Sequence, residues 1–83
     1  MKAYQVFSGE QNKHGNQIYD LVATYLDKDR AIEHARQIAQ DTPLYGDILE
    51  EGEFFGDGKF KEWDAIGWER VCVSRFQEIE ITE

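Results

Sequence analysis

The sequence predicts an α+β domain: a small β-hairpin, one helix, then a C-terminal meander of two to three strands. The helix is expected on one face of an antiparallel sheet. Three observations carry this. Ile18 to Leu26 is rich in β-branched and aromatic residues (Ile18, Tyr19, Val22, Thr24, Tyr25), which suit a pleated surface. The next stretch changes to helical spacing, with Ala31, Ile32, Ala35, Ile38 and Ala39 on one stripe. The last third alternates again, ending in Glu78-Ile79-Glu80-Ile81.

The first strand is expected over Lys2 to Ser8, with Tyr4, Val6 and Phe7 as its apolar content. Asn12-Lys13-His14-Gly15 suits a type I turn followed by a left-handed glycine, which makes a hairpin. Asn12 then faces Asn16, Phe7 faces Leu21, Val6 faces Val22 and Ala3 faces Tyr25. In that register Phe7, Tyr19, Leu21, Ala23 and Tyr25 share the more apolar face, where the helix is expected to pack. Tyr4, Val6, Val22 and Thr24 lie on the other face, which the C-terminal half or another chain should cover.

Asp27 is placed to cap the helix, because its short side chain can accept from the first free backbone N–H groups. Asp29 in the first turn suits the positive end of the helix dipole. Thr42-Pro43 stops the helix, since proline disfavours helical geometry in the residue before it. Beyond it, Asp47 to Phe55 reads as a short strand broken by Glu50-Glu51-Gly52-Glu53. Gly56-Asp57-Gly58 is a turn, Lys59 to Trp63 a strand, and Asp64-Ala65-Ile66-Gly67 another turn. Trp68 to Thr82 is a long strand with a bulge or bend at Ser74 to Gln77, expected beside the first strand and antiparallel to it. Its Glu78 to Ile81 end resembles a half-exposed edge.

The 83 residues make one domain, 1–83, with room for one modest core. A single cysteine, Cys72, excludes an intramolecular disulfide and fits a reducing compartment. The opening MKAYQVFSGE has neither a long apolar run nor a small-residue cleavage site. No apolar run approaches the ~20 residues that span a membrane. A cytoplasmic location is expected.

The net charge of −8 is unevenly spread. Met1 to Gly46 carries six acids and five bases; Asp47 to Glu83 carries eleven acids and four bases. Such a balance argues against direct nucleic-acid binding, where phosphates would be repelled, and favours a basic protein partner. Six of the eleven aromatics lie between Tyr45 and Trp68 (Tyr45, Phe54, Phe55, Phe60, Trp63, Trp68), interleaved with acids. Aromatic anchors in an acidic rim suit a basic surface through burial, cation–π contact and steering. The residues expected to bind a partner are Asp47, Glu50, Glu51, Glu53, Asp57, Glu62, Asp64, Glu69, Phe55 and Trp63.

Other chemistry is poorly served. Cys72 with His34 or His14 would need a nearby base or positive charge to form a thiolate, yet Cys72 sits between two valines in a strand. The acids Asp47, Glu50, Glu51, Glu53 and Asp57 do not match a calcium loop. Two separated histidines and one cysteine are too few for a typical zinc site. Glu62-Trp63-Asp64 and Trp68-Glu69 set acids beside indoles, but a catalytic pair needs burial to raise one pKa. Gly56-Asp57-Gly58 lacks the spacing of a phosphate loop. No catalytic residue, metal or cofactor is therefore expected.

The reading is a non-catalytic acidic protein-binding module, in its sharper form an inhibitor imitating nucleic acid as some phage proteins do. Two other readings stay open. One is a small enzyme or ligand-binding domain with a pocket between the helix and Tyr45 to Trp68. The other is a structural homodimer subunit joined through the exposed sheet face.

Overall fold

The computed structural model describes residues 1–11, 14–44 and 46–82. The expected turn residues Asn12 and Lys13, the Asn12–Asn16 pairing and Tyr45 lie outside them. Five strands and one helix follow in the order β1 (Lys2–Gln11), β2 (Gln17–Tyr25), α1 (Lys28–Asp41), β3 (Ile48–Glu51), β4 (Phe60–Ile66) and β5 (Arg70–Glu80). All pairs are antiparallel, in the sheet order β2-β1-β5-β4-β3. The α+β architecture, the hairpin, the single helix and the last strand beside the first are as the sequence predicts.

The helix forms where its signals lie. The Asp29 amide donates to Asp27 Oδ1 at 2.9 Å, so Asp27 is the N-cap. Thr42 closes the other end, its amide and hydroxyl both donating to the Ile38 carbonyl. Ala31, Ala35 and Ala39 are buried on the sheet, beside the half-buried Ile32 and Ile38. Because these side chains are small, the helix axis comes close. The Ser74 hydroxyl of β5 reaches the Ala35 carbonyl at 2.7 Å. Val6, Trp63, Ala65, Val73 and Phe76 complete the core from the sheet. The Trp63 indole N–H, buried in it, has no hydrogen-bond partner among the described residues, a local cost of about 1–3 kcal/mol.

The helix sits on the opposite face from the one expected. The hairpin register holds at Phe7–Leu21, but Val6 then pairs with Ala23 and Tyr4 with Tyr25. Val22 is therefore an extra residue, a bulge. Side chains alternate across a strand, so one extra residue changes the face of everything beyond it. Ala23 and Tyr25 join Tyr4 and Val6 under the helix. Phe7, Tyr19 and Leu21 stay on the uncovered face, where the Arg75 guanidinium lies 4.0 Å from the Tyr19 ring centre.

The later boundaries also move. Glu50 and Glu51 belong to β3 rather than breaking it. Asp64, Ala65 and Ile66 are strand, paired with Cys72, Val71 and Arg70, and the turn is Gly67 to Glu69. The irregularity of β5 falls at Val73, between the Trp63–Ser74 and Asp64–Cys72 pairs, ahead of the expected bend. β5 is an inner strand, and only its Glu78–Glu80 end runs past β4.

Pairing of β1 with β5 ends at Ser8–Ser74. There Gln17 reaches across from β2. Its side-chain carbonyl accepts from the Cys72 amide at 3.0 Å, and its amide donates to the Cys72 carbonyl at 3.3 Å. The crossing needs Gly9 beneath it, because any Cβ there would stand 2.1 Å from the Cys72 carbonyl oxygen. Gly9→Ala is expected to force β1 and β5 apart, at a cost of about 1–3 kcal/mol. Gln17→Ala should cost a similar ~1–3 kcal/mol by stranding the Cys72 amide. Thermal unfolding of the two variants checks both, and a wild-type melting temperature in either contradicts this account.

Candidate functional site

The uncovered face is built from alternate residues of five strands. Toward β3 it turns acidic, because the register sets Glu50 beside Asp64, and Glu62 shares their face. There the chain forms an open cleft of about 520 Å³, lined chiefly by Glu50, Glu53, Phe55, Glu62, Asp64 and Arg70. Glu51 and Gly52 close its floor. Six residues expected from the sequence thus meet in one place: Glu50, Glu51, Glu53, Phe55, Glu62 and Asp64.

Most of these acids are answered within the molecule. Arg70 bridges Asp64 Oδ2 at 2.9 Å and Glu50 Oε1 at 3.3 Å. Arg75 donates twice to Glu62 Oε1, at 3.1 and 2.6 Å. Glu51 points to the helix side, where it meets Lys61 at 3.1 Å and Arg36 at 3.3 Å. Those contacts hold its carboxyl below the ordinary glutamate range, the Lys61 hydrogen bond being the main cause. Asp64 moves the other way. Burial raises its pKa, Arg70 opposes this, and the charges of Glu62 and Glu50 add to the rise. Among the described residues, Asp47, Glu53 and Asp57 make no ion pair and stay exposed.

A second depression, of about 250 Å³, is lined by Asp47, Trp68, Glu69 and Val71. Trp68 stands fully exposed in the Gly67–Glu69 turn. The turn is kept small because the Asp47 carboxylate lies over Gly67, 1.9 Å from where a Cβ would be. The sequence reading missed Trp68 and chose Trp63, which is 1% exposed in the core and cannot touch a partner. The signal was available: Gly67-Trp68-Glu69 is a turn composition, and a turn offers a large ring no cover. Asp57 lies in the Phe55 to Phe60 turn and lines neither depression.

The other expected sites take different forms. His34 accepts or donates at the Tyr25 hydroxyl, 2.9 Å away on the helix side, and forms no pair with Cys72. Cys72 lies instead with Glu62 and Asp64, the three donor atoms within 4.8 Å of one another. Burial and the two carboxylates push its thiol up to about 12, so a nucleophilic thiolate is disfavoured. Among the described residues, those three are the set that could hold a metal. Their carboxylates are engaged by Arg70 and Arg75, and the thiol donates to the Ser74 carbonyl at 3.3 Å. The space expected to be a pocket between α1 and the 45–68 segment is occupied by Phe54. Its ring meets Phe76 edge-on at 6.2 Å, and the Lys28 and Lys61 amines lie within 5.6 and 4.6 Å of its centre.

No protein-family model, curated protein or solved structure matches the chain. What the site can do therefore rests on its own chemistry: an acidic cleft with internal arginines, and an exposed indole in a separate depression.

Two measurements follow. Relative to free tryptophan, caesium should quench Trp68 fluorescence more and iodide less at low salt, and the difference should shrink as salt screens Asp47 and Glu69. A caesium-to-iodide ratio equal to that of free tryptophan would mean no local negative field. In an NMR titration, Asp64 should have its inflection above the ordinary aspartate range and Glu51 below the ordinary glutamate range. The signs for stability are opposite. Asp64 contributes at low pH, and this is lost as pH rises through its raised folded pKa. Glu51 contributes above its unfolded pKa, and this is lost as pH falls through its lowered folded value.

Proposed function

We propose that this chain is a non-catalytic binding module that engages a basic protein surface through the Trp68 turn and the acidic cleft. The observation that carries the reading is the fully exposed Trp68 lining one depression with Asp47 and Glu69. A large indole in water is a poor use of apolar area unless something covers it. Indoles are also the best cation–π acceptors, and they dominate interface energetics. Asp47 lines the Trp68 depression, and Glu53 and Phe55 line the acidic cleft. The internal arginines favour this form over imitation of nucleic acid. A phosphate mimic needs a ladder of unanswered charges, and Arg70 and Arg75 interrupt the row. With those pairs already made, the cleft is a fixed polar rim and the indole is the anchor.

The test is titration of the protein with short arginine-rich and lysine-rich peptides, with an uncharged peptide of equal length as control. Trp68 emission should shift to the blue on addition of the basic peptides alone. Trp68→Ala should weaken binding at least tenfold, about 1.4 kcal/mol or more, whereas Glu53→Gln should weaken it less and reduce its salt dependence. Affinity that survives Trp68→Ala, or that does not fall with salt, would contradict the proposal.

A further inference from the structure

The two edges of the sheet differ in kind. β3 is four residues long and carries Glu50 and Glu51, a short charged edge of the sort that resists pairing. β2 is nine residues long and pairs only with β1. It carries one charge, Asp20, and no lysine or proline. Tyr19, Leu21, Val22 and Thr24 along it are exposed. Its unpaired N–H and C=O groups are a template for another strand.

At the Tyr25 end of β2, under the flank of α1, lies a groove of about 410 Å³ lined by Tyr25, Arg30, Glu33, His34 and Gln37. An added sixth strand would project its helix-side residues into that groove, while its other residues would extend the uncovered face.

We propose that the occupant is β2 of a second copy, paired antiparallel about a two-fold axis at Leu21, so that two five-stranded sheets become one. Three features favour self-pairing. With the axis at Leu21, Asp20 lies opposite Val22 of the other copy, so the edge's one charge never faces its own image. A two-fold interface must be self-complementary, and the groove flank carries side chains of both signs, Arg30 and Glu33. Finally, β1, β2 and α1 belong to the part of the chain with net charge −1, whereas the net −7 part supplies β3, β4 and β5. A second copy approaching along β2 thus meets the least repulsive side. This inference does not rest on the proposed acidic binding surface.

The experiment measures the mass of the full chain by light scattering, and tests Leu21→Cys for cross-linking. Wild type should show twice the 9.7 kDa chain mass. Leu21→Cys should form an intermolecular disulfide on mild oxidation, because facing residues of an antiparallel pair lie about 4.5–5.5 Å apart at Cα, within disulfide reach. Ile48→Cys on the opposite edge should not. Leu21→Lys with Thr24→Lys should give the single-chain mass with unchanged far-ultraviolet circular dichroism. Trp68→Ala should keep the doubled mass, which separates this interface from the basic-partner surface. Since the cysteine variant reads proximity in the otherwise native chain, the result stands even if the lysine variant unfolds. A wild-type chain that stays single at high concentration, or Leu21→Cys that cross-links no faster than Ile48→Cys, overturns the proposal.

Discussion

Everything in this molecule depends on a close contact between three alanines of α1 and the middle of the sheet. Ala31, Ala35 and Ala39 let the helix settle until a serine hydroxyl of β5 reaches a helix carbonyl at 2.7 Å. Packing that close leaves no room for larger helix side chains, so the bulk of the core comes from the sheet as Val6, Trp63 and Phe76. It also limits what one helix can cover. A single cylinder about 10 Å across spans roughly two strand spacings of ~4.8 Å, and this sheet has five strands. No helix covers the second face, on which Ala3, Asp64 and Cys72 are nonetheless buried. The polar networks on that face follow from this. An uncovered sheet face in water carries ion pairs such as Arg75–Glu62 and Arg70–Asp64 in place of a second apolar layer.

Much of this was legible in the residues. Asp27, the alanine stripe and Thr42-Pro43 marked the helix because each acts locally: a cap, a periodicity, a stop. Phe7–Leu21 was legible because hairpin register is set by the turn. The helix face was not, because the Val22 bulge depends on what lies across β1 and leaves no mark in composition. The same limit explains β4. Asp64-Ala65-Ile66-Gly67 has the composition of a turn, yet Asp64 lies in a strand because Arg70 and the Cys72 pairing hold it there. Long-range partners override local preference.

The acidic site was half legible. Charge asymmetry located the right part of the chain, Asp47 to Glu83, and six expected residues do line one cleft. What composition cannot give is sign cancellation in space. Arg36, from the part of the chain read as nearly neutral, folds back onto Glu51. Nor can it tell which tryptophan is outside. Trp63 and Trp68 have the same acidic neighbourhood in sequence. One lies in β4 facing the helix, and the other lies in the turn that ends β4.

The two open surfaces share one logic. Where this protein shields a surface from unwanted contact, it does so with short strands and charge, as at β3. Where that shielding is missing, at the β2 edge and at the Trp68 turn, the apolar or hydrogen-bonding groups are exposed at a cost. An exposed strand edge and an exposed indole are both liabilities for a small acidic domain with one modest core, since each invites non-specific association. The two sites lie on different strands, β2 and the β4–β5 turn, and differ in local charge. Occupation of one would therefore leave the other accessible, and an edge-paired pair of chains would present two Trp68 turns. Two identical anchors on one rigid sheet give a bivalent surface. Its affinity for a repeated basic partner would exceed that of a single copy through effective concentration alone, with no new contact required.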